Sequence, residues 1–143
     1  MQNEKLRLDN QLCFAIYACT RQMTKLYKPY LDELGLTYTQ YISLLVLWEE
    51  DKITVKDLGH KLYLDSGTLT PLLKKLEIMG FIERTRDKKD ERSVLISLTV
   101  AGIALKEKAY EIPGKVFLHT GLSLEDAIRL REDLKKTLAN MDS

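Results

Sequence analysis

A change of hydrophobic period near the middle of the chain limits the folds open to this sequence. Residues 81–86 (FIERTR) alternate apolar and polar side chains, residues 87–91 (DKKDE) are all polar, and residues 92–98 (RSVLISL) have the composition of a second strand. Two short strand-like runs around a charged turn predict a β-hairpin. Elsewhere the apolar residues recur at the three- and four-residue spacing that is typical of helices. We therefore predict a mainly α-helical fold with one small β-hairpin.

Capping residues and glycines divide the rest of the sequence into six predicted helices. The first helix begins after a cap at Asp9, is expected to kink or restart at Pro29, and ends at Gly35. A capping box of Thr37 and Gln40 opens the second helix. The later helices share a polar start and run from Thr37 through Trp48, from Thr54 to about Leu62, from Thr68 to Met79, from Val100 to about Ile112, where Pro113 and Gly114 interrupt it, and from Ser123 to about Met141.

The order of these elements predicts a winged helix-turn-helix with helical ends. Residues 35–98 supply helix, short helix, helix and hairpin, which is the order of a DNA-reading lobe. Residues 1–34 and 99–143 lie outside that lobe and carry apolar stripes that need a partner surface. We expect one domain, 1–143, that dimerises through these terminal helices, because a single lobe reads only a short half-site. An ordinary bundle packed within one chain is the alternative.

Composition excludes several classes of protein. Twenty-two Lys and Arg against 21 Asp and Glu give a net charge of +1, which excludes a uniformly basic nucleic-acid coat but not a local patch. Two cysteines cannot form the disulfide framework of a small secreted protein. No targeting segment is visible, and the apolar stretches are far shorter than the roughly 20 residues of a membrane span. We expect a cytoplasmic protein, not associated with membranes, with reduced thiols.

The basic residues are concentrated where a DNA-reading lobe needs them. Lys74 and Lys75 lie on the predicted recognition helix and suit phosphate neutralisation. Hydroxyl groups at the start of that helix can contact base edges or phosphates, and they belong to Ser66, Thr68 and Thr70. Basic residues of the hairpin are Arg84, Arg86, Lys88, Lys89 and Arg92. The alternative is a solvated capping turn followed by a hairpin tip that only aids solubility.

Several segments together resemble the MarR family of dimeric winged-helix repressors, and within it the organic-hydroperoxide-sensing OhrR-like repressors. They are residues 10–14 (NQLCF), 17, 27–29 (YKP), 37–41 (TYTQY), 62–71 (LYLDSGTLTP) and 90–99 (DERSVLISLT). The resemblance covers about residues 8–112. It implies a homodimer bound to double-stranded DNA at a pseudo-palindromic operator.

The same resemblance assigns individual DNA contacts. The residues that would face the major groove are Ser66, Thr68, Thr70, Pro71 and Lys74. Arg92 would enter the minor groove from the wing and would be oriented by Asp90. Arg84 and Arg86 would support contacts to the DNA backbone.

Cys13 is the candidate redox sensor. It is predicted in the first turn of the first helix, where unpaired N–H groups and the helix dipole stabilise a thiolate. Tyr17 follows at i+4, on the same face. In OhrR-like dimers two further tyrosines reach the cysteine from the other subunit, and Tyr27 and Tyr38 match them. The alternative is that Cys13 is an ordinary packing residue, as free cysteines often are.

Cys19 has no counterpart in the family pattern. Six residues of helix separate it from Cys13 by about 9 Å of rise, which is more than a disulfide spans. Because no cysteine follows residue 19, we expect a one-cysteine mechanism. The Cys13 sulfenic acid would form a mixed disulfide with a small-molecule thiol. Cys19 is predicted to pack in the core, and pairing of two Cys19 thiols across a dimer stays open.

Other chemistry finds no support in the sequence. His60 and His119 lack metal-ligand spacing, and no phosphate loop or cofactor motif is present. We therefore predict a peroxide-responsive transcriptional repressor that is not an enzyme and needs no cofactor. A regulator of broader thiol stress or of a small phenolic ligand is the related alternative. A thiol peroxidase, in which Cys13 turns over, is the alternative from a different class.

Overall fold

Helices and a three-stranded sheet alternate along residues 2–142, which are the residues described by the computed structural model. In chain order the elements are α1 (Leu12–Leu34), α2 (Tyr38–Glu49), β1 (Ile53–Thr54), α3 (Val55–Leu62), α4 (Ser66–Ile78), β2 (Ile82–Arg86), β3 (Val94–Leu98), α5 (Val100–Ala109), α6 (Ile112–Leu118) and α7 (Leu124–Met141). The predicted mainly α-helical fold with a small β-hairpin is confirmed.

The start of α1 differs from the prediction. Asp9 lies in a short 3₁₀ segment, Leu8–Asn10, and Gln11 is the N-cap residue. The Gln11 side-chain amide donates to the carbonyl oxygens of Lys5 and Arg7 at 2.8 and 2.7 Å. These bonds stabilise the segment before the helix, so α1 begins after residue 11 rather than after Asp9.

Pro29 neither restarts nor ends α1, which runs unbroken from Leu12 to Leu34. A proline inside a helix removes one backbone hydrogen bond and disfavours helical geometry. Here Leu26 and Leu31, on either side of it, pack against the core. This packing offsets the local cost. Gly35 then ends the helix in the left-handed conformation (φ 72°), as predicted.

Most of the hydrophobic core lies inside the predicted DNA-reading lobe, and Leu31, Leu105 and Val116 extend it into the flanking helices. Leu44 and Leu47 of α2 are buried, and so is the leucine face of α4. The predicted capping box is confirmed, since the Thr37 hydroxyl accepts from the backbone of Gln40 and the Gln40 side chain accepts from the backbone of Thr37. The cap fixes the start of α2 and directs its apolar residues inward.

The hairpin is part of a three-stranded antiparallel sheet with the order β1-β3-β2. Ile53 of β1 pairs with Ile96, which also lies opposite Arg84 of β2. Sequence patterning missed β1 because two residues are too short to show alternation. The second hairpin strand begins at Val94 rather than at Arg92, because the Asp90 side chain accepts from the Arg92 amide and keeps that residue in the turn.

The helices after the sheet are divided differently from the prediction. The helix predicted from Val100 to about Ile112 ends at Ala109, and a further helix that was not predicted, α6, begins at Ile112. Pro113 lies in the first turn of α6, where its missing N–H costs little. The predicted Ser123 cap of α7 is confirmed by its bond to the Asp126 amide at 3.1 Å.

The last helix leaves its apolar residues exposed. All 18 residues of α7 keep part of their surface open to solvent. The large apolar side chains exposed on it are Leu124, Ile128, Leu130, Leu134, Leu138 and Met141. A stripe at this spacing lacks a cover within one chain. Among residues 2–142, none of the helices combines the length and the apolarity that crossing a membrane requires.

Gly102 marks the tightest contact between α5 and the sheet. A Cβ atom built there would collide with the carbonyl oxygen of Phe81, and the carbonyl of Gly102 accepts from the Trp48 indole at 3.0 Å. Only a residue without a side chain allows this approach. By contrast, nothing lies within 4 Å of a Cβ built at Gly114 of α6.

We expect Gly102→Ala to lower the free energy of unfolding by about 2 kcal/mol, because the added methyl group must displace backbone. The control Gly114→Ala should be neutral or stabilise by about 0.5 kcal/mol through helix propensity. Urea unfolding followed by circular dichroism measures both. Equal stabilities for the two variants would contradict the close contact.

Candidate nucleic-acid interface and thiol site

The helix α4 begins at Ser66, two residues before the predicted start. Asp65 is its N-cap, and its Oδ1 accepts from the Thr68 amide at 2.7 Å. The hydrogen bonds from the backbone amide and from the side chain of Thr68 lower the pKa of the Asp65 carboxyl below its ordinary range. Pro71 lies within the helix, at its sixth residue.

Burial divides α4 into two sides. Leu69, Leu72, Leu73 and Leu76 are buried. The predicted DNA-facing residues are all exposed, and they are Ser66, Thr68, Thr70, Pro71, Lys74 and Lys75. With a helical period of 3.6 residues, the leucines form one face and the hydroxyls and lysines lie around the other. The leucine spacing thus determines which side chains α4 presents to solvent.

The tip of the hairpin is stabilised by its own polar groups. Oδ1 of Asp90 accepts from the backbone amide of Arg92 at 3.1 Å, and the Ser93 hydroxyl donates to Oδ2 at 3.4 Å. Arg86 donates through Nη1 to the Glu91 carbonyl at 2.7 Å. The structure brings Asp90 and Arg92 together through the Arg92 backbone, while the Arg92 side chain is exposed. Arg86 contacts the turn itself.

Arg84 has a different environment from the other predicted wing contacts. Its Nε and Nη2 donate to Oε1 of Glu77 at 3.2 and 3.0 Å, and its backbone amide donates to Oε2 at 3.2 Å. This pairing lowers the pKa of the Glu77 carboxyl. Sequence reasoning missed Glu77, although its position seven residues before Arg84, across the helix-to-strand turn, is visible in the sequence.

Cys13 lies in the first turn of α1, as predicted, and its thiol is exposed. Tyr17, one turn later, is also exposed and accepts a hydrogen bond from Nη1 of Arg21 at 2.8 Å. The Arg21 guanidinium lies 5.5 Å from the centre of the Tyr17 ring. Arg21 therefore restrains Tyr17 on this face of α1. It was not among the predicted site residues, although its i+4 spacing from Tyr17 is a detectable signal.

The other two predicted tyrosines pack on each other between α1 and α2. The ring centres of Tyr27 and Tyr38 are 5.1 Å apart in an edge-to-face arrangement, and Tyr41 contacts both at 5.6 and 6.2 Å. Burial raises the pKa of all three phenols, and for Tyr41 burial and its two neighbours raise it to about 12. At neutral pH these residues are protonated and keep their O–H donors.

One chain does not bring all four predicted sensor residues together. Fourteen residues of continuous α1 separate Cys13 from Tyr27, which is about 21 Å along the helix axis. The Cys13–Tyr17 pair and the Tyr27–Tyr38 pair thus lie at different places on the same subunit. A site that uses both pairs requires two chains.

Cys19 is not packed in the core, so that prediction is wrong for the single chain. Its thiol is exposed and lines a groove of about 410 Å³ between α1 and α7, with Met23, Leu130 and Leu134 among its neighbours. Within residues 2–142, the His, Cys, Asp and Glu side chains form no group of three that could hold a metal ion.

The arrangement of α3, α4 and the hairpin is a winged helix-turn-helix, and this is the class of DNA-reading protein that the fold defines. Residues 25–109 match the family described as transcriptional regulator SarA/Rot. The chain is 53% identical to the organic hydroperoxide resistance transcriptional regulator of Bacillus subtilis (strain 168), over 96% of this chain and 94% of that one. The chain belongs to the MarR/SarA family of winged-helix transcriptional regulators.

Solved structures agree with this assignment. Reduced AbfR bound to DNA is 37% identical, with a TM-score of 0.81 and full coverage of both chains. Overoxidised AbfR bound to DNA gives a TM-score of 0.80, with 99% of each chain covered and the same identity. A mutant E. coli MarR complexed with operator DNA is 29% identical, with a TM-score of 0.80 over 95% of this chain and 96% of that one.

The Asp65 cap makes the stability of the lobe depend on pH. Because the pKa of Asp65 is lower in the folded state, the cap stabilises the fold at neutral pH and is lost as the pH falls below about 4. Asp65→Ala should lower the thermal midpoint at pH 7 and weaken its dependence on pH in the acid range. Asp65→Ser, which keeps a capping oxygen without a titrating group, should restore the midpoint at pH 7. A midpoint for Asp65→Ala that equals the wild-type value at pH 7 would contradict this role.

Proposed function

We propose that the chain is a homodimeric transcriptional repressor that binds a pseudo-palindromic operator and releases it when an organic hydroperoxide oxidises Cys13. One observation carries the proposal: an exposed thiol lies in the first turn of α1, in a chain whose winged lobe presents hydroxyls and lysines to solvent. Identity of 53% to an organic hydroperoxide resistance regulator supports the same conclusion. The cytoplasm is the compartment in which such a repressor meets its DNA.

The proposed chemistry begins with the Cys13 thiolate. It attacks the distal oxygen of the hydroperoxide, the O–O bond breaks, and the alkoxide leaves and takes up a proton to become an alcohol. Sulfur is oxidised to a sulfenic acid while the peroxide is reduced. A small-molecule thiol then attacks this sulfur, forming a mixed disulfide and releasing water. Cys13 lies exposed in the first turn of α1, where a hydroperoxide can reach its sulfur.

The proposed sensor site is shared between two subunits. Because about 21 Å of helix separates Cys13 from Tyr27 in one chain, the phenols of Tyr27 and Tyr38 can serve only the thiol of the partner. Their raised pKa values keep both phenols as hydrogen-bond donors. The exposed apolar residues of α1 and α7 supply the surface for this assembly. In this division, residues 1–34 and 99–143 dimerise and residues 35–98 read DNA.

DNA recognition is assigned to α4 and the hairpin. Arg92 is proposed to enter the minor groove, held by the contact of Asp90 to its amide, with Arg86 supporting the turn. Ser66, Thr68, Thr70, Pro71, Lys74 and Lys75 are proposed to face the major groove and its phosphates. A bulky adduct at Cys13 would disturb the tyrosine packing, change the spacing of the two α4 helices and lower operator affinity.

A thiol peroxidase is the alternative with a different chemistry. It would consume hydroperoxide catalytically with a thiol reductant and would show no preference for an operator. The exposed hydroxyls and lysines of α4 favour the repressor, since peroxide turnover has no use for them. A related regulator of general thiol stress would respond equally to oxidants without an organic group, and one that binds a phenolic ligand would not need Cys13.

We expect Cys13→Ser to bind the protein's own promoter region as tightly as wild type and to stay bound in cumene hydroperoxide, because serine cannot be oxidised to a sulfenic acid. Gel shifts with and without peroxide measure this, and mass spectrometry follows the modification of Cys13 in the wild type. Cys19→Ser is the matched control and should release DNA normally. Release by Cys13→Ser, or its loss in Cys19→Ser, would overturn the one-cysteine mechanism.

Arg92→Ala should weaken operator binding by about tenfold at fixed salt, because the wing loses its minor-groove contact. Fluorescence anisotropy with a labelled operator measures the change. Arg129→Ala, which removes an arginine from an exposed ion pair on α7, is the control and should bind as wild type. An unchanged affinity for Arg92→Ala would remove the wing tip from DNA recognition.

A further inference from the structure

We propose that Glu77 and Arg84 form a clamp between α4 and the hairpin, and that both act as positioning residues for operator recognition. In this role Arg84 sets the angle of the wing relative to α4 and does not contact a phosphate. The inference rests on the proposed function, since it concerns how the lobe fits its operator.

Three hydrogen bonds join the Glu77 carboxylate to the side chain and the backbone of Arg84. Nε and Nη2 of the Arg84 guanidinium both donate to Oε1 of Glu77, and the Arg84 backbone amide donates to Oε2. A carboxylate that binds both the side chain and the main chain of one residue restrains the strand itself. The side chains are only 27% and 38% exposed, whereas the exposed ion pair of Arg129 with Glu125 has 63% and 84%. Solvent therefore screens the clamp less than an ordinary surface pair.

Strand alternation explains why Arg84 points toward α4. Residues two apart in a strand share a face, so Arg84 lies on the same face as Ile82. Ile82 is buried in the core of the lobe, against the leucine side of α4. Arg84 extends that face to the edge of the core, where its guanidinium reaches the last turns of α4.

The clamp spans the turn that joins the two DNA-reading elements. The chain passes from α4 to β2 through Met79, Gly80 and Phe81, and Gly80 takes the left-handed conformation with φ 85°. Nothing lies within 4 Å of a Cβ built at Gly80, so no side chain packs on that side of the turn. Glu77 and Arg84 join the two elements across this turn. The turn also has hydrogen bonds of its own, since the Phe81 amide donates to the Leu76 carbonyl at 3.0 Å and the Thr99 hydroxyl donates to the Gly80 carbonyl at 2.6 Å. The clamp adds a bond from α4 to the strand itself, beyond the turn.

The negative charge of Glu77 makes the expected change in DNA affinity easy to distinguish from a simple charge effect. A carboxylate on the recognition helix repels DNA phosphates, so its removal by itself should strengthen binding. If Glu77 positions the wing, its removal should weaken specific binding although the lobe becomes more positive. The two effects have opposite directions and can be separated by experiment.

Fluorescence anisotropy of wild type, Glu77→Gln and Arg84→Met tests the clamp, with operator and random-sequence DNA at several salt concentrations. All proteins are measured at a temperature at which circular dichroism shows them folded. Glu77→Gln should weaken operator binding roughly tenfold, equivalent to about 1.4 kcal/mol, without weakening random-sequence binding. Arg84→Met should show a similar loss with an unchanged salt slope. The control Glu125→Gln, which breaks the exposed pair on α7, should match wild type.

A double-mutant cycle with Arg92→Ala distinguishes positioning from a merely structural role. If the clamp acts by presenting the wing tip, adding Glu77→Gln to Arg92→Ala should cause little further loss of operator affinity. Additive losses would overturn the inference, as would operator binding by Glu77→Gln equal to or tighter than wild type. A salt slope reduced by about 0.9 in Arg84→Met would instead assign that residue to a phosphate. Wild type without operator preference would refute the proposed function, and the clamp with it.

Discussion

Burial of the leucine face of α4 is the interaction on which the DNA-reading lobe depends. Leu69, Leu73 and Leu76 are almost fully removed from solvent, and each such side chain contributes about 1.5–3 kcal/mol of transfer free energy. Because residues that are not on the buried face of a helix lie on its exposed face, burial of the leucines also leaves the hydroxyls and lysines of α4 facing solvent. Ile82 joins this core from the sheet, so one set of apolar contacts positions both the helix and the hairpin.

Local chemistry made much of this fold predictable. The capping box of Thr37 and Gln40, the Gly35 terminus and the Ser123 cap each depend on a few neighbouring residues, and all three are confirmed. The starts of α1 and α4 were predicted wrongly, since several polar residues there compete to cap. Pro29 was misjudged because distant packing outweighed a local preference.

In the candidate sites, too, features that depend on neighbouring residues were predictable, and contacts between distant elements were not. Ser66, Thr70 and Lys74, which the resemblance assigns to DNA contact, are exposed on α4, and Cys13 lies in the first turn of α1 as predicted. The contact of these side chains with DNA stays a prediction. Contacts between elements were beyond the sequence patterns. Glu77 with Arg84 depends on how the hairpin folds back on α4, and Tyr41 joins Tyr27 and Tyr38 only because α1 and α2 pack together.

The length of α1 has a consequence for how the proposed response is timed. A chain that carries its thiol and its phenols about 21 Å apart would hold two halves of the proposed sensor site, and neither would be complete before two chains assemble. Newly synthesised chains would thus remain insensitive until they pair, and each completed dimer would hold two detectors built from the same interface. Damage sensing and DNA occupancy would then begin at the same moment, when two chains meet.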